Sequence, residues 1–388
     1  MRMRPMRMQL RWPPAMTLLG IGVTLASALP CLAQSSADSL AQALRALFGD
    51  SVVATYSLEE LQSYRQLYAQ QLAASEKQRT ALRQKGIREA ELFITQNPNS
   101  RILDEVMMRL AELCYDEAED QYLAAMRQYE EALAAFEAGQ GTSAPVEPRK
   151  ELSKPLTLLR SVVEKFPHSQ YVDDALYNQA YILEELGQDT AAVALYQQLV
   201  EEFPASNYTP NALMRIGEYY FNPPRNALRT AIEIYQRVLN FPDSPRYDEA
   251  LYRLGWSHYR LSEFPQAVSY FTLLVDDLDR YSPLDRKGAF TNPALREEAI
   301  EYIAISFLDY GGAQRAADYL REIGGRPYGA QILKRMGDAY LKEKEEFANA
   351  IYAYRLLLAL YPDSPFAPAV QSRIVEACRL RKDEPMAY

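Results

Sequence analysis

The turn Phe-Pro-x-Ser occurs as FPHS at 166–169, FPAS at 203–206, FPDS at 241–244 and YPDS at 361–364, with NPNS at 97–100 as an outlier. Proline cannot continue a helix, and a serine hydroxyl can cap the next one. Each copy therefore ends one helix and opens another, which restricts the chain to a series of short helices at a regular interval. Within 241–275, Ser244 and Pro245 predict a helix start at residue 245, with proline in the first position. Leu251, Leu254, Gly255 and His258 then share one helical face, with Tyr247 a turn upstream, and that face is expected to be buried. After a break at 262–265, Ala267, Phe271 and Leu274 mark one face of a second helix. Gly255 and Ala267 are small where the two backbones should touch.

The same landmarks recur on both sides. Leu213, Ile216, Gly217 and Tyr220 are followed by Ala231, Tyr235 and Val238, with an Asn222-Pro223-Pro224 insertion between the helices. Leu176, Ala180 and Leu183 precede Ala192, Tyr196 and Leu199; Met336, Gly337 and Tyr340 precede Ala350, Tyr354 and Leu357. A degenerate copy holds Ala304, Phe307, Ala316 and Leu320. This pattern resembles the tetratricopeptide repeat (TPR), with Leu-Gly and an aromatic in helix A and Ala, Phe/Tyr and Pro in helix B; His258 replaces the usual Tyr. Successive turn prolines lie 37 residues (Pro167 to Pro204) and 38 residues (Pro204 to Pro242) apart, more than the common ~34 of that repeat. The lengthened turn is similar to periplasmic bacterial TPR proteins of the BamD-like and CpoB-like group, over roughly residues 85–388. The resemblance implies an all-α, right-handed superhelical solenoid of about six TPR-like helix pairs, one with an elongated helix. It also implies a role in envelope assembly, division-linked maintenance, or export and motility.

Residues 1–33 carry Arg2, Arg4, Arg7 and Arg11, an uncharged run from Met16 to Leu29, and Cys31-Leu32-Ala33. This is the layout of a cleavable signal peptide, so a periplasmic chain is expected. Pro30 stands where lipid attachment at Cys31 would need a small residue, so cleavage after Ala33 is preferred, with a lipidated Cys31 as the alternative route to the outer membrane. Loss of the four arginines takes the net charge from −9 to −13, which argues against a nucleic-acid partner. Cys114 and Cys378 remain, each on an apolar helical face, and read as small buried hydrophobes.

Residues 34–56 read as a flexible leader with one apolar segment, Leu40 to Phe48. Residues 57–98 read as a helical cap and partial repeat. There Ser57 and Glu60 form a capping box, Leu58, Leu61, Tyr64, Tyr68 and Leu72 an apolar stripe, 73–86 a polar stretch, and Gly86–Phe93 a second helix. Residues 99–388 read as the solenoid. An unusually long helix is expected over 101–137, projecting beyond its repeat, followed by a flexible return at 138–150; a second insertion is expected at 276–294.

The chain has no Gly-rich phosphate loop, GxSxG, CxxC or HExxH. Its two histidines, His168 in a turn and His258 at a core position, lie more than two repeats apart and cannot converge. Adjacent acids such as Glu184-Glu185 point about 100° apart on a helix and do not form an acid/base pair. No enzyme, metal site or small-molecule cofactor is expected. The 28 tyrosines offer apolar area with a hydroxyl, suited to contact surfaces. The expected function is a non-catalytic scaffold gripping an envelope polypeptide along the concave helix A surface, through Asn178, Tyr181, Arg215, Tyr219, Arg253 and Ser257. The alternative is a glycan- or peptidoglycan-binding accessory that stacks sugars on groove tyrosines.

Overall fold

A computed structural model describes residues 58–140, 143–280 and 293–381. Those residues form fourteen α-helices and no strand. The signal segment, the leader, Cys31 and the Ser57/Glu60 capping box lie outside the described residues or side chains. The chain divides into two compact units, residues 1–178 and 179–388.

The N-terminal unit contains α1 (Leu58–Gln96), α2 (Leu103–Glu137), α3 (Ser153–Lys165) and the first half of α4 (Val172–Glu185). The expected break of α1 into two elements is absent, and a single helix of 39 residues runs through. Residues 73–86 are polar but rich in Ala, Glu, Lys, Gln and Arg and free of proline, so they stay helical with most side chains facing solvent. Gly86 does not end the helix; it lets α2 approach, since a Cβ there would stand 3.1 Å from Leu113 Cδ1. Ile87, Leu110 and Cys114 form a small core beside it. Arg83 is buried between the two helices and donates to the Asp116 carbonyl at 2.5 Å and to Asp120 Oδ2 at 2.6 Å, which offsets the cost of desolvating a guanidinium.

The elongated α2 has the expected extent, 35 residues. Its return is pinned at one end: Lys150 pairs with Glu119 and lies 5.5 and 5.6 Å from the ring centroids of Tyr115 and Tyr122. Val146, in contrast, is 90% exposed.

The C-terminal unit continues with the rest of α4, then α5 (Asp189–Glu202), α6 (Thr209–Phe221), α7 (Leu228–Val238), α8 (Tyr247–Arg260) and α9 (Phe264–Arg280). It ends with α10 (Pro293–Asp309), α11 (Gly312–Glu322), α12 (Gly329–Lys342), α13 (Phe347–Leu360) and α14 (Ala367–Leu380). Counted from α2/α3 to α12/α13 there are six helix pairs. The degenerate pair α10/α11 buries its four landmarks, Ala304, Phe307, Ala316 and Leu320, like the others. Asp276 to Arg280, expected to begin an insertion, are instead the last turn of α9; residues 281–292 of that expected insertion lie outside the description. Asp276 accepts the Tyr328 hydroxyl at 2.7 Å and Arg326 Nε at 3.0 Å, which ties it to the start of α12.

All five turns fold alike, the NPNS outlier included. The serine amide donates to the carbonyl three residues back, at 3.1 Å in 97–100 and 3.0 Å in 241–244. The serine hydroxyl then accepts the amide two residues on, as Ser169, Ser206 and Ser244 do at 3.1, 3.1 and 3.2 Å. This extra turn delays the helix, so α8 starts at Tyr247 and not at residue 245. Helix then meets helix at glycine. A Cβ on Gly217, Gly255 or Gly337 would stand 2.2, 2.6 or 2.3 Å from the ring of Tyr235, Phe271 or Tyr354.

Two predictions follow from this packing. Gly255→Leu should destabilise the C-terminal unit by about 1–3 kcal/mol through overpacking, seen as a lowered melting temperature; an unchanged Tm would contradict the Gly255–Phe271 contact. Limited proteolysis should cut first between residues 139 and 147, ahead of the pinned Lys150, and early cleavage within 150–165 would contradict that pinning.

Candidate functional site

The A helices of the C-terminal unit carry a repeated set of charges around the glycine contact. Arginine stands two residues before the glycine in three repeats, as Arg215, Arg253 and Arg335. An acid follows the glycine in two, as Glu218 and Asp338. The B-helix tyrosine that packs on the glycine turns its hydroxyl to that acid: Tyr235 donates to Glu218 Oε1 at 2.9 Å and Tyr354 to Asp338 Oδ1 at 2.7 Å. Tyr196 donates at 3.1 Å to Glu184, an acid one turn past Ala180, which holds the glycine position in its repeat. Burial, then the neighbouring carboxylate, pushes the Tyr235 and Tyr354 hydroxyls well above the usual tyrosine range, so both stay protonated donors.

The acid also receives the next repeat's arginine. Arg253 Nε lies 2.6 Å from Glu218 Oε1, a contact ion pair whose N–H is not aligned as a hydrogen bond. Arg215 Nη1 stands 3.7 Å from Glu184, whose carboxyl burial holds above its usual range despite that arginine. Around Asp338 burial is outweighed by hydrogen bonds from Lys334 and Tyr354, which hold the carboxyl below its usual range. The third arginine, Arg335, pairs with Glu301 at 2.8 Å and Glu343 at 2.7 Å.

The middle repeat departs from the rule in both members at once. Trp256 occupies the acid position after Gly255, and the packing ring is Phe271, which has no hydroxyl to satisfy. Trp256 instead lies 4.2 Å, centroid to centroid, from Tyr302, with Tyr259 5.8 Å from both and Tyr252 6.3 Å from Trp256. Tyr252 reaches on to Glu298 at 2.7 Å.

The six positions expected to grip a ligand therefore fare differently. Asn178 is 2% exposed and Ser257 fully buried, its hydroxyl donating to the Arg253 carbonyl at 2.7 Å. Both lie on the inner side of their helices, so packing occupies them and neither faces outward as expected. Arg215 lies over the Tyr181 ring at 5.7 Å. Tyr219 meets Thr190 Oγ1 at 3.2 Å and carries the Arg225 guanidinium 3.4 Å above its ring. Tyr181, Arg215, Tyr219 and Arg253 are part-exposed. His258 is buried as expected, stacked on Tyr270 at 5.3 Å with Nδ1 2.7 Å from Glu263, and His168 is an exposed turn residue. Cys114 and Cys378 are both buried, and burial pushes the Cys114 thiol up.

Sequence reasoning passed over the end of the array. There α10 and α12, with Phe366 just ahead of α14, line an open cleft of about 610 Å³ that carries Glu297, Glu298, Glu301, Lys334, Arg335 and Asp338, with Ile300 and Phe366 as apolar surface. The signal was in the sequence: Lys334-Arg335 sit within one turn of Met336 and Gly337, and Glu297-Glu298 about two turns before Ala304. Among the described residues no group of three or more His, Cys, Asp or Glu side chains could hold a metal, and no helix is long and apolar enough to cross a membrane.

The Phe271/Trp256 exchange yields a test. Phe271→Tyr should cost about 1–3 kcal/mol, because the buried hydroxyl meets no carboxylate. Adding Trp256→Glu should make the double variant more stable than the sum of the two single changes by about 1 kcal/mol. Strict additivity would remove the tyrosine–acid pairing as a repeat rule.

Residues 174–206, 249–277 and 335–364, which cover α4/α5, α8/α9 and α12/α13, match the family model "Tetratricopeptide repeat". Among solved structures the chain is similar to a tetratricopeptide repeat protein of Parabacteroides merdae, with 14% identity, 81% of this chain and 99% of that one covered, and a TM-score of 0.36. It is similar to pilF of Pseudomonas aeruginosa at 17% identity, with 66% and 98% covered and a TM-score of 0.33. For the C-terminal part of a TPR repeat-containing protein of Cytophaga hutchinsonii the values are 17%, 73%, 98% and 0.32. No curated protein matches the chain. Three segments of the chain thus match the tetratricopeptide repeat, and in two of them, α8/α9 and α12/α13, the glycine–aromatic contact seats one helix on the other.

Proposed function

We propose that the chain is a non-catalytic scaffold of the bacterial cell envelope that binds a segment of an envelope polypeptide on its A-helix face. The cleft lined by α10, α12 and Phe366 carries this reading. Its lining mixes acids and bases with Ile300 and Phe366, the combination that lets an extended or helical peptide place apolar anchors between charged contacts. Tyr181, Arg215, Tyr219 and Arg253 extend the same kind of surface along the earlier A helices. The basic-then-apolar first 33 residues support export to the periplasm, and the lengthened FPxS turns support the BamD-like and CpoB-like group and, with it, an assembly, division, export or motility machine.

A second reading has its own observation. Tyr252, Trp256, Tyr259 and Tyr302 cluster on neighbouring A helices, and such a set of rings suits stacking against sugars of a glycan or peptidoglycan.

A photo-crosslinking residue in place of the exposed Glu297, used in intact cells with mass spectrometry of the captured species, separates the two. The expected result is one envelope protein, lost on Arg335→Glu with helix content unchanged. Glycan fragments without protein, from this position or from Tyr259, would move the carbohydrate reading ahead and overturn the peptide reading.

A further inference from the structure

The cleft lined by α10 and α12 adjoins a second one. This open cleft, of about 510 Å³, is lined by the turns that precede α12 and α14. The two share Gln331 and Phe366 and meet across those side chains. Around the turns the lining is apolar: Pro327, Pro362 and Pro365 are exposed, and Tyr361 and Phe366 part-buried. Each cleft falls within the roughly 300–1,000 Å³ of ordinary ligand sites, room for a side chain or two with their backbone.

The α10/α12 half is charged, and its charges do not cancel. Lys334 is held by Asp338 at 2.7 Å and Arg335 by Glu301 at 2.8 Å, so each cation is already matched. Glu297 has Arg296 at 2.8 Å, but Asp279 also clamps that guanidinium, at 2.6 and 3.0 Å. Glu298 has the Tyr252 hydroxyl at 2.7 Å, which supplies a hydrogen bond and no charge. Glu298 is thus a part-exposed carboxylate that pairs with no cation among the described residues.

Gln331 stands between the halves. Its Oε1 is buried without a hydrogen-bond partner, in a side chain that is otherwise part-exposed. An unpaired buried acceptor is costly, and no hydrogen bond holds this one, so turning it into the groove breaks nothing. There a carboxamide offers a passing main chain both an acceptor and two donors.

We propose that the two clefts form one bipartite groove for an extended polypeptide segment that lays an apolar side chain on Tyr361 and Phe366, crosses Gln331, and sets a lysine or arginine against Glu298. The groove so read deepens the peptide reading of this face, on which it rests, by giving the partner's chemistry: a basic and apolar segment, not an acidic one. Each part of the occupant answers one part of the groove. The apolar residue covers rings and prolines, a main-chain N–H meets the carboxamide oxygen, and the cation neutralises the unmatched carboxylate. The chain's net charge of −9 draws the same kind of segment in from a distance.

A random library of short peptides displayed on phage, panned on the immobilised full chain, tests this. Enriched sequences should pair Lys or Arg with a nearby apolar residue. As synthetic peptides they should lose about tenfold in affinity on Glu298→Gln, the scale of one charge-assisted hydrogen bond. That change keeps the side chain's shape and an oxygen for the Tyr252 hydroxyl, so the fold is retained. Gln331→Met, which drops the acceptor at similar volume, should weaken binding too. Glu201→Gln with Glu202→Gln, at the exposed end of α5, removes two charges and should leave affinity unchanged. Enriched peptides that lack a basic residue, yet lose binding on Phe366→Ala with helix content unchanged, would overturn the proposal and leave the peptide reading standing. Peptides weakened as much by the α5 pair as by Glu298→Gln would show attraction to an acidic chain at large and overturn it likewise. Enrichment of no peptide, or only of peptides indifferent to Phe366, Gln331 and Glu298, would overturn both readings.

Discussion

The contact on which the C-terminal unit depends is the seating of a B-helix aromatic ring on an A-helix glycine. At 2.2 to 2.6 Å from where a Cβ would be, Tyr235, Phe271 and Tyr354 leave room for no other residue, and the interhelix distance in each pair is set there. Two of those rings carry a hydroxyl into the interior, and a buried hydroxyl without a partner is costly. The acid after the glycine meets it, and a half-buried acid in turn favours a nearby cation. Arg253 supplies one from the following repeat. A steric requirement inside one helix pair thus becomes an electrostatic link to the next.

This chain of necessity changes what the charged A-helix residues mean. An arginine at a fixed place in successive repeats has the look of a row of ligand readers. Here Arg253 and Arg335 are held by carboxylates and spend their geometry on joining repeats. Such part-exposed pairs contribute little to stability individually, so their value lies in fixing the angle between neighbours. Partner specificity is better sought where the rule lapses. One such place is Trp256, where acid and hydroxyl are dropped together. The other is the cleft beside α14.

The fold was legible because its determinants are local. Gly255, Ala267 and Phe271 lie within one helix–turn–helix, and the FPxS turn folds from its own four residues. The site was less legible because its determinants are not local. Glu218 and Tyr235 are 17 residues apart, Glu218 and Arg253 are 35, and no helical period links them. Asn178 and Ser257 were placed outward on phase alone, yet a TPR helix A is packed from several sides and its inner arc is wider than a single stripe. The length of α1 escaped for the opposite reason: a polar stretch of good helix formers without proline does not bound a helix, and Gly86 serves helix approach.

The two units are held by different physics. In the C-terminal unit the glycine–ring contacts sit in a large apolar core, and the ion pairs ride on its surface. In the N-terminal unit the shared core of α1 and α2 is small, and buried Arg83 with Asp116 and Asp120 stands where apolar side chains would otherwise meet. Replacing one member of such a group leaves a desolvated charge behind, so the register of α1 on α2 is defined by a few polar residues with high penalties for error. That suits two long helices whose outer ends share little core: a slide by one turn would break Arg83 from Asp120 and Lys154 from Glu91 together. Polar residues here fix the register, and apolar ones the contact.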